Sequence, residues 1–271
     1  MNFQIVQPSG FLSNYIQRYC FMESDKHEKT IVERVIPVEH IQLMFHYRNP
    51  FTEYHPDESI VKQSRSILSG LTDSFSDVST NGETGVVFVS FYPAGACHFF
   101  RFPLSEIENR SIDLSDIFGQ QVRQVEERLY LSRSIKEKVS VIEHFLAGLY
   151  SPVPLYDSLL IGKGVDLIKH NNGQNNAALL CDQLSVTPKT LERKFSRYLG
   201  KTTKQVIKLF RFYGVLHDFT NDKCTSMTER AYRNGYSDQS HFIRDFKSFS
   251  GYTPGEFTSK YPEFNIDNDY C

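Results

Sequence analysis

SMTERAYRNGYSDQSHFIRDFKSFSGYTPGEFTSKY, residues 226–261, reads as a helix, a tight turn and a second helix. Ser226 can cap a first helix from Met227 to Asn234, which stops at Gly235, a residue free to take the positive φ that ends many helices. Ser237 offers an N-cap oxygen for a second helix running to about Ser250. Within that second helix Phe242, Phe246 and Phe249 fall at i, i+4 and i+7, one apolar stripe that calls for burial. The opposite face carries Gln239, Ser240, His241, Arg244 and Lys247, all able to hydrogen-bond and none acidic. Two helices joined by a short turn, the second with a donor-rich outer face, describe a helix-turn-helix DNA reader. A solvated helix hairpin is the alternative reading of one copy.

A second copy decides between them. Asn176 to Thr202, NAALLCDQLSVTPKTLERKFSRYLGKT, has the same layout. Leu191 pairs with Phe242, Arg193 with Arg244, Phe195 with Phe246, Gly200 with Gly251 and Thr202 with Thr253, each 51 positions apart (242 − 191 and so on). Cys181 pairs with Ala231 and Thr187 with Ser237 at an offset of 50, so the second turn is one residue longer. Self-similarity at fixed offset is a mark of architecture. Between the copies, Thr203 to about Phe219 suits one helix joining two units rigidly. Gly214 inside it costs about 1 kcal/mol relative to Ala, which predicts a packing reason for a small residue there.

The duplicated pattern resembles the DNA-binding domain of the AraC/XylS family of bacterial transcription regulators. A-x3-GY-S-DQSHF-x-R-x-FK-x3-GYTPGEF, from Ala231 to Phe257, is close to that family's signature, and T-P-K-T-L-x-R-x-F-x4-G, from Thr187 to Gly200, is a looser match. The resemblance covers roughly Leu159 to Tyr261. Ser185 departs from it, standing in the first turn where Gly235 stands in the second, as does Gly214, where the linker helix usually has alanine. The resemblance implies an N-terminal regulatory domain that binds an effector, pairs subunits, or both.

Charge agrees with this division. Residues 1–154 hold 14 Lys+Arg against 19 Asp+Glu, and residues 155–271 hold 16 against 13, so a net −2 conceals a basic second half. From Val186 to Arg211 there are eight basic residues and one acid, Glu192. A local positive field over a nearly neutral whole is what a phosphate-contacting face needs. At 271 residues the chain has room for two cored domains. With no long apolar run and no charged leader before an apolar core, a cytoplasmic protein with no membrane span is expected. Cys20, Cys97, Cys181, Cys224 and Cys271 are dispersed without CxxC spacing, which predicts reduced thiols.

The N-terminal part reads as strands at Ile31–Ile36, Ile41–Tyr47, Arg65–Leu68 and Val86–Tyr92, with a long polar loop from Thr72 to Gly85 that includes an Asn81-Gly82 turn signal. Helical spacing begins after Pro103: Ser105–Asn109, Leu114–Phe118, Gln121–Tyr130 and Ser134–Leu149. The expected fold is an α+β N-terminal domain, a β-rich partial barrel or sandwich followed by helices. An all-α C-terminal domain of two helix-turn-helix units and a linker helix follows. Ser151-Pro152-Val153-Pro154 breaks the pattern, giving a regulatory or assembly domain over 1–150, a linker over 151–157, a DNA-binding domain over 158–264 and a tail over 265–271.

Other chemistries find little support. His40, His46, His55 and His98, with Glu39, Glu53 and Cys97 nearby, invite a metal reading, but no H-x-H or HExxH occurs, and no metal or cofactor is expected. GxGxxG, Walker-type and GxSxG motifs are absent, and Gly162-Lys163-Gly164 reads as a helix-entry turn too short for a phosphate loop. Catalysis is not indicated. Phe45, Phe88, Phe91 and Tyr92 could line an effector pocket or fill a core.

The expected site is therefore a DNA face. Lys189, Glu192, Arg193, Gln239, Ser240, His241 and Arg244 face the bases in this reading, the two arginines foremost because arginine reads guanine O6 and N7 with two hydrogen bonds. Thr187, Lys194, Arg197, Lys201, Lys204, Lys247 and Thr253 are assigned to phosphates. A carboxylate such as Asp182 or Asp218 is the alternative partner of Arg193. Double-stranded DNA is the expected partner, with a small-molecule effector, RNA polymerase and a second copy of the chain as candidates. The competing schemes are an effector-responsive regulator, a DNA-binding protein whose N-terminal half only assembles subunits or contacts a protein, and a metal-dependent sensor fused to a DNA reader.

Overall fold

The computed structural model describes residues 2–24, 31–80, 82–221 and 226–264. Its N-terminal part is built on a six-stranded antiparallel sheet in the order β1-β2-β9-β4-β7-β10. These strands are β1 (Asn2–Val6), β2 (Ile16–Ser24), β4 (Gln42–His46), β7 (Ser66–Ser69), β9 (Thr84–Phe91) and β10 (Ser111–Asp113). A four-stranded sheet in the order β3-β8-β5-β6 lies beside it, made of β3 (Ile31–Val35), β5 (Thr52–Tyr54), β6 (Ile60–Lys62) and β8 (Ser76–Thr80). Among the described residues the two sheets do not close into a barrel.

The sheet is covered on both faces. Val87, Val89 and Phe91 point to the main core with Leu43 and Phe45, against α1 (Ser115–Phe118), α2 (Gln120–Leu131) and α3 (Ile135–Leu149). The Phe45 and Phe145 rings meet edge to face at 6.0 Å. On the other face Met22, Met44, Phe51, Ile67 and Val86 form a smaller cluster, with Val78 and Phe88 against it. Strict alternation along β9 thus splits its apolar residues between two cores. Of the two readings of Phe45, Phe88, Phe91 and Tyr92, pocket lining or core, these positions fit core filling for the first three. Phe45 and Phe91 fill the main core, Phe88 faces away from it, and Tyr92 is exposed.

Half of the polar loop expected from Thr72 to Gly85 is strand, Ser76–Thr80 in β8 and Thr84 and Gly85 at the start of β9. Ser76–Thr80 has little apolar content, yet it pairs with β3 and β5, and the cross-strand neighbours Arg34 and Asp77 form a two-bonded ion pair at 2.8 Å. Asn81 of the expected turn lies outside the described residues. Cys20, on strand β2, is disulfide-bonded, which corrects the expectation of reduced thiols at that position. Cys97 and Cys181 are free.

From α3 the chain passes through Ser151-Pro152-Val153-Pro154 into α4 (Leu155–His170). His98 holds this passage. Its carbonyl accepts from the Ser151 N–H at 2.7 Å, its Nδ1 from the Val153 N–H at 3.4 Å, and its Nε2 lies 3.4 Å from Ser158 Oγ. The other histidines have separate surroundings: His40 bonds Gln42, His46 bonds Gln63, and His55 lies 3.8 Å from Glu53. Gly162-Lys163-Gly164 is no entry turn but the interior of α4. Gly164 sits under Phe195, whose ring would be 3.0 Å from any Cβ there.

The remaining helices are α5 (Ala177–Leu184), α6 (Pro188–Leu199), α7 (Thr203–Asn221), α8 (Met227–Arg233), α9 (Gln239–Ser250) and α10 (Pro254–Lys260). No helix among the described residues is long and apolar enough to cross a membrane.

Candidate nucleic-acid interface

The two helix-turn-helix units are α5–α6 and α8–α9, and their local chemistry repeats. Each turn needs a left-handed residue, supplied by Ser185 at φ +53° in the first and Gly235 at φ +75° in the second. Each outer helix ends at a left-handed glycine, Gly200 at φ +80° and Gly251 at φ +75°. The helix that follows begins both times with reciprocal capping. Thr202 Oγ1 accepts from the Gln205 N–H while Gln205 Oε1 accepts from the Thr202 N–H, and Thr253 and Glu256 do the same. The caps of the outer helices are Thr187, accepting from the Thr190 N–H, and Asp238, accepting from the His241 N–H. Asp238 therefore replaces Ser237 as the second cap, and the cap pair is 51 apart (238 − 187), like the rest of the helix. Ser237 instead donates to Asp238.

Linker helix α7 holds the units together. Phe212 stacks on Phe249 at 4.8 Å and Phe219 meets Phe246 edge to face at 5.5 Å, so the phenylalanine stripe of α9 is buried on α7. Gly214 lets the segment before the first unit and the turn of the second approach α7: a Cβ there would lie 3.0 Å from Asn172 Cβ and 3.3 Å from Asn234 Oδ1. That is the packing reason its sequence position called for.

Leu191, Phe195 and Leu199 are buried under α6, which leaves Lys189, Glu192, Arg193 and Arg197 exposed. On α9, Gln239, Ser240, Arg244 and Lys247 are exposed and His241 is half-buried. Ser240, Ile243, Arg244, Lys247 and Ser248 line a shallow depression of about 420 Å³ on its outer face. Some of these side chains are already engaged. Glu192 accepts from the Thr203 N–H at 3.1 Å and so caps α7, Gln239 accepts from Thr228 Oγ1 at 3.0 Å, and His241 Nε2 lies 3.6 Å from Asp245. Neither Arg193 nor Arg244 has an ion pair among the described residues. Asp218, the alternative partner of Arg193, is held by Arg230 and Arg233 at 2.9 Å each.

The basic run from Val186 to Arg211 divides in two. Lys194 pairs with Asp157 at 2.5 Å, Lys208 with Asp245 at 3.1 Å, and Arg211 donates to the Gly173 carbonyl at 3.0 Å. Burial alone would raise the Asp157 carboxyl, but hydrogen bonds from Lys194 and Tyr198 hold it below the usual carboxylate range. Lys201 is buried against the N-terminal domain, bonded to Asp73, Glu108 and Asn109. As they stand, Lys194 and Lys201 are thus not the solvent-facing cations that the phosphate assignment expected. Lys189, Arg193, Arg197 and Lys204 keep their heads in water.

Residues 180–260 match the family described as a helix-turn-helix domain, and residues 4–113 match a domain of unknown function, DUF6597. The class is therefore a transcription factor that binds DNA through a C-terminal helix-turn-helix domain, behind a β-rich N-terminal domain. Residues 180–260 thus belong to the helix-turn-helix domain family, and their unit duplicated along one linker helix resembles that of AraC-type regulators. Similar solved structures include ToxT from Vibrio cholerae, at 14% identity and TM-score 0.44 over 88% of this chain and 96% of that one. A second structure of ToxT from that organism, described as bound to an unsaturated fatty acid, matches at 15% identity and TM-score 0.44, covering 88% and 94%. The AraC-like transcriptional activator CuxR matches at 11% identity and TM-score 0.26, covering 86% and 91%. No curated protein matches the chain.

Proposed function

We propose that this regulator reads an asymmetric DNA element with both units, α6 in one major groove and α9 in the next, about one helical turn apart. The observation that carries this reading is the pair Arg193 and Arg244. They occupy equivalent positions of the repeat, are exposed on the outer faces of α6 and α9, and have no ion pair among the described residues. Arg193 and Arg244 read base edges, with Lys189, Gln239, Ser240 and His241 beside them. Arg197, Lys204, Lys247 and the helix starts at Thr187 and Thr253 hold phosphates. Residues 1–150 act as the regulatory domain, 151–157 as the linker and 158–264 as the DNA-binding domain. A small molecule or a partner, with RNA polymerase and a second copy as candidates, acts through the first of these. That role is supported by the direct contacts of the N-terminal domain with both reading units.

Selection of binders from random duplex DNA with the full chain, followed by fluorescence anisotropy at two salt concentrations, tests the proposal. Two short conserved blocks about one turn apart are expected. Failure to enrich any site, with weak and wholly salt-dependent binding, would overturn it.

A further inference from the structure

Lys201 closes the first reading unit, and its side chain is 1% exposed. The ammonium donates to Asp73 Oδ2 at 2.6 Å and Asn109 Oδ1 at 2.8 Å, and lies 3.1 Å from Glu108 Oε1. Gln205, one turn further on, donates to the same carboxylates, at 3.2 Å to Asp73 and 2.6 Å to Glu108. The cup is built for this: Asn109 stands at φ +57°, its Oδ1 also accepts from the Asp73 N–H, and its Nδ2 donates to Asp73 Oδ2. An ammonium ringed by anionic and amide oxygens is bonded much as a phosphate would bond it.

The same surface crowds the reading face. Pro103 and Ser105 share a depression of about 580 Å³ with Arg193 and Arg197, and a Cβ on Gly200 would lie 2.7 Å from the Leu104 carbonyl oxygen. The second unit is docked at the equivalent place. Tyr252, 51 residues after Lys201 (252 − 201), lies under the Arg34 guanidinium at 4.4 Å, and a Cβ on Gly251 would meet the Phe75 ring at 2.5 Å. Both reading helices are therefore held at their C-terminal turns by residues 34, 73–77 and 104–109.

We propose that the N-terminal domain restrains DNA binding by occupying the first reading unit. Asp73 and Glu108 stand in for a DNA phosphate at Lys201, and the turn at residues 103–105 takes ground beside Arg193 and Arg197 that a duplex needs. This rests on the DNA-binding reading above. The carboxylates remain 37% and 33% exposed, so water weakens the pairing and the exchange for a phosphate is open to a ligand that shifts the domains.

The test uses the full chain and its selected duplex. D73N/E108Q removes the charge and keeps the shape. It is expected to bind about tenfold tighter, with the salt slope steeper by about 0.9 for one added phosphate contact. In a K201Q background the same double change should give no gain. E108Q alone, which leaves the Asp73–Asn109 bonds in place, should give a smaller gain of the same sign and serves if the double variant melts early. Unchanged or weaker binding by variants that melt like the parent would overturn the restraint, as would a gain that survives in K201Q. If neither parent nor variants select any duplex, the DNA reading itself fails. If the parent selects a site and the variants gain nothing, only the restraint fails.

Discussion

At Arg244 the guanidinium is exposed on α9 with no ion pair among the described residues, so its removal leaves no buried charge behind. Arg244→Ala is therefore expected to leave the melting temperature within about 2 °C of the parent, since surface changes of this kind stay within about 0.5 kcal/mol. Binding of the selected site should weaken by about 1–3 kcal/mol, with specificity relaxed at one base pair. Anisotropy titration against the site and its single-base variants measures both, and a variant that binds as tightly as the parent excludes the assignment. Most such outward residues were legible from helical spacing alone. The capping residue of α9 was not. Ser237 and Asp238 can both offer an N-cap oxygen, and only the path of the longer second turn decides that Asp238 meets the His241 N–H.

Among the elements, α7 and α9 show how far pattern reaches. The i, i+4, i+7 spacing of Phe242, Phe246 and Phe249 predicts burial, and all are 1% exposed or less. Phe246 contacts the rings of Phe212, Phe219, Phe242 and Phe257, joining the second unit to the linker helix. Phe246→Ala should cost about 3–5 kcal/mol, the range for emptying a large aromatic site. Urea unfolding followed by circular dichroism would show it as a lower midpoint, and a loss under 1 kcal/mol would mean that the stripe is not the joint. Strands were less legible. Ile16–Ser24 is sandwiched between covered faces in mid-sheet, so its burial does not alternate, while Ser76–Thr80 is a strand only because β3 and β5 pair with it.

Across the whole molecule, burial sets a pH dependence. It lowers His40 to about 3 and His46 to about 4, and it also depresses His98, which grips the linker as a neutral ring. Arg18 and Lys169, facing His40 from β2 and α4, lower it further. Each ring binds a proton more readily unfolded, near pH 6.5, than folded. Their contribution is therefore complete above about pH 6.5 and is lost as pH falls toward the depressed values. The urea midpoint should drop between pH 7 and pH 5, and a flat profile over that interval would show that these rings stay solvated. No sequence pattern marked this, because burial of a lone histidine depends on which elements cover it.

The sequence by itself determined the two-part division, the repeat at 51 residues and the outward faces of both reading helices. Each follows from local periodicity, caps and the backbone freedom of a few residues, which act over one or two helical turns. Tertiary structure alone decided that β9 feeds two cores and that half of the basic run is bound within the protein. It also brought Asp73 and Glu108, more than ninety residues before Lys201, onto its ammonium. Those outcomes depend on contacts between distant segments, and a charge or a phenyl ring carries no mark in sequence of the partner that the fold will bring to it.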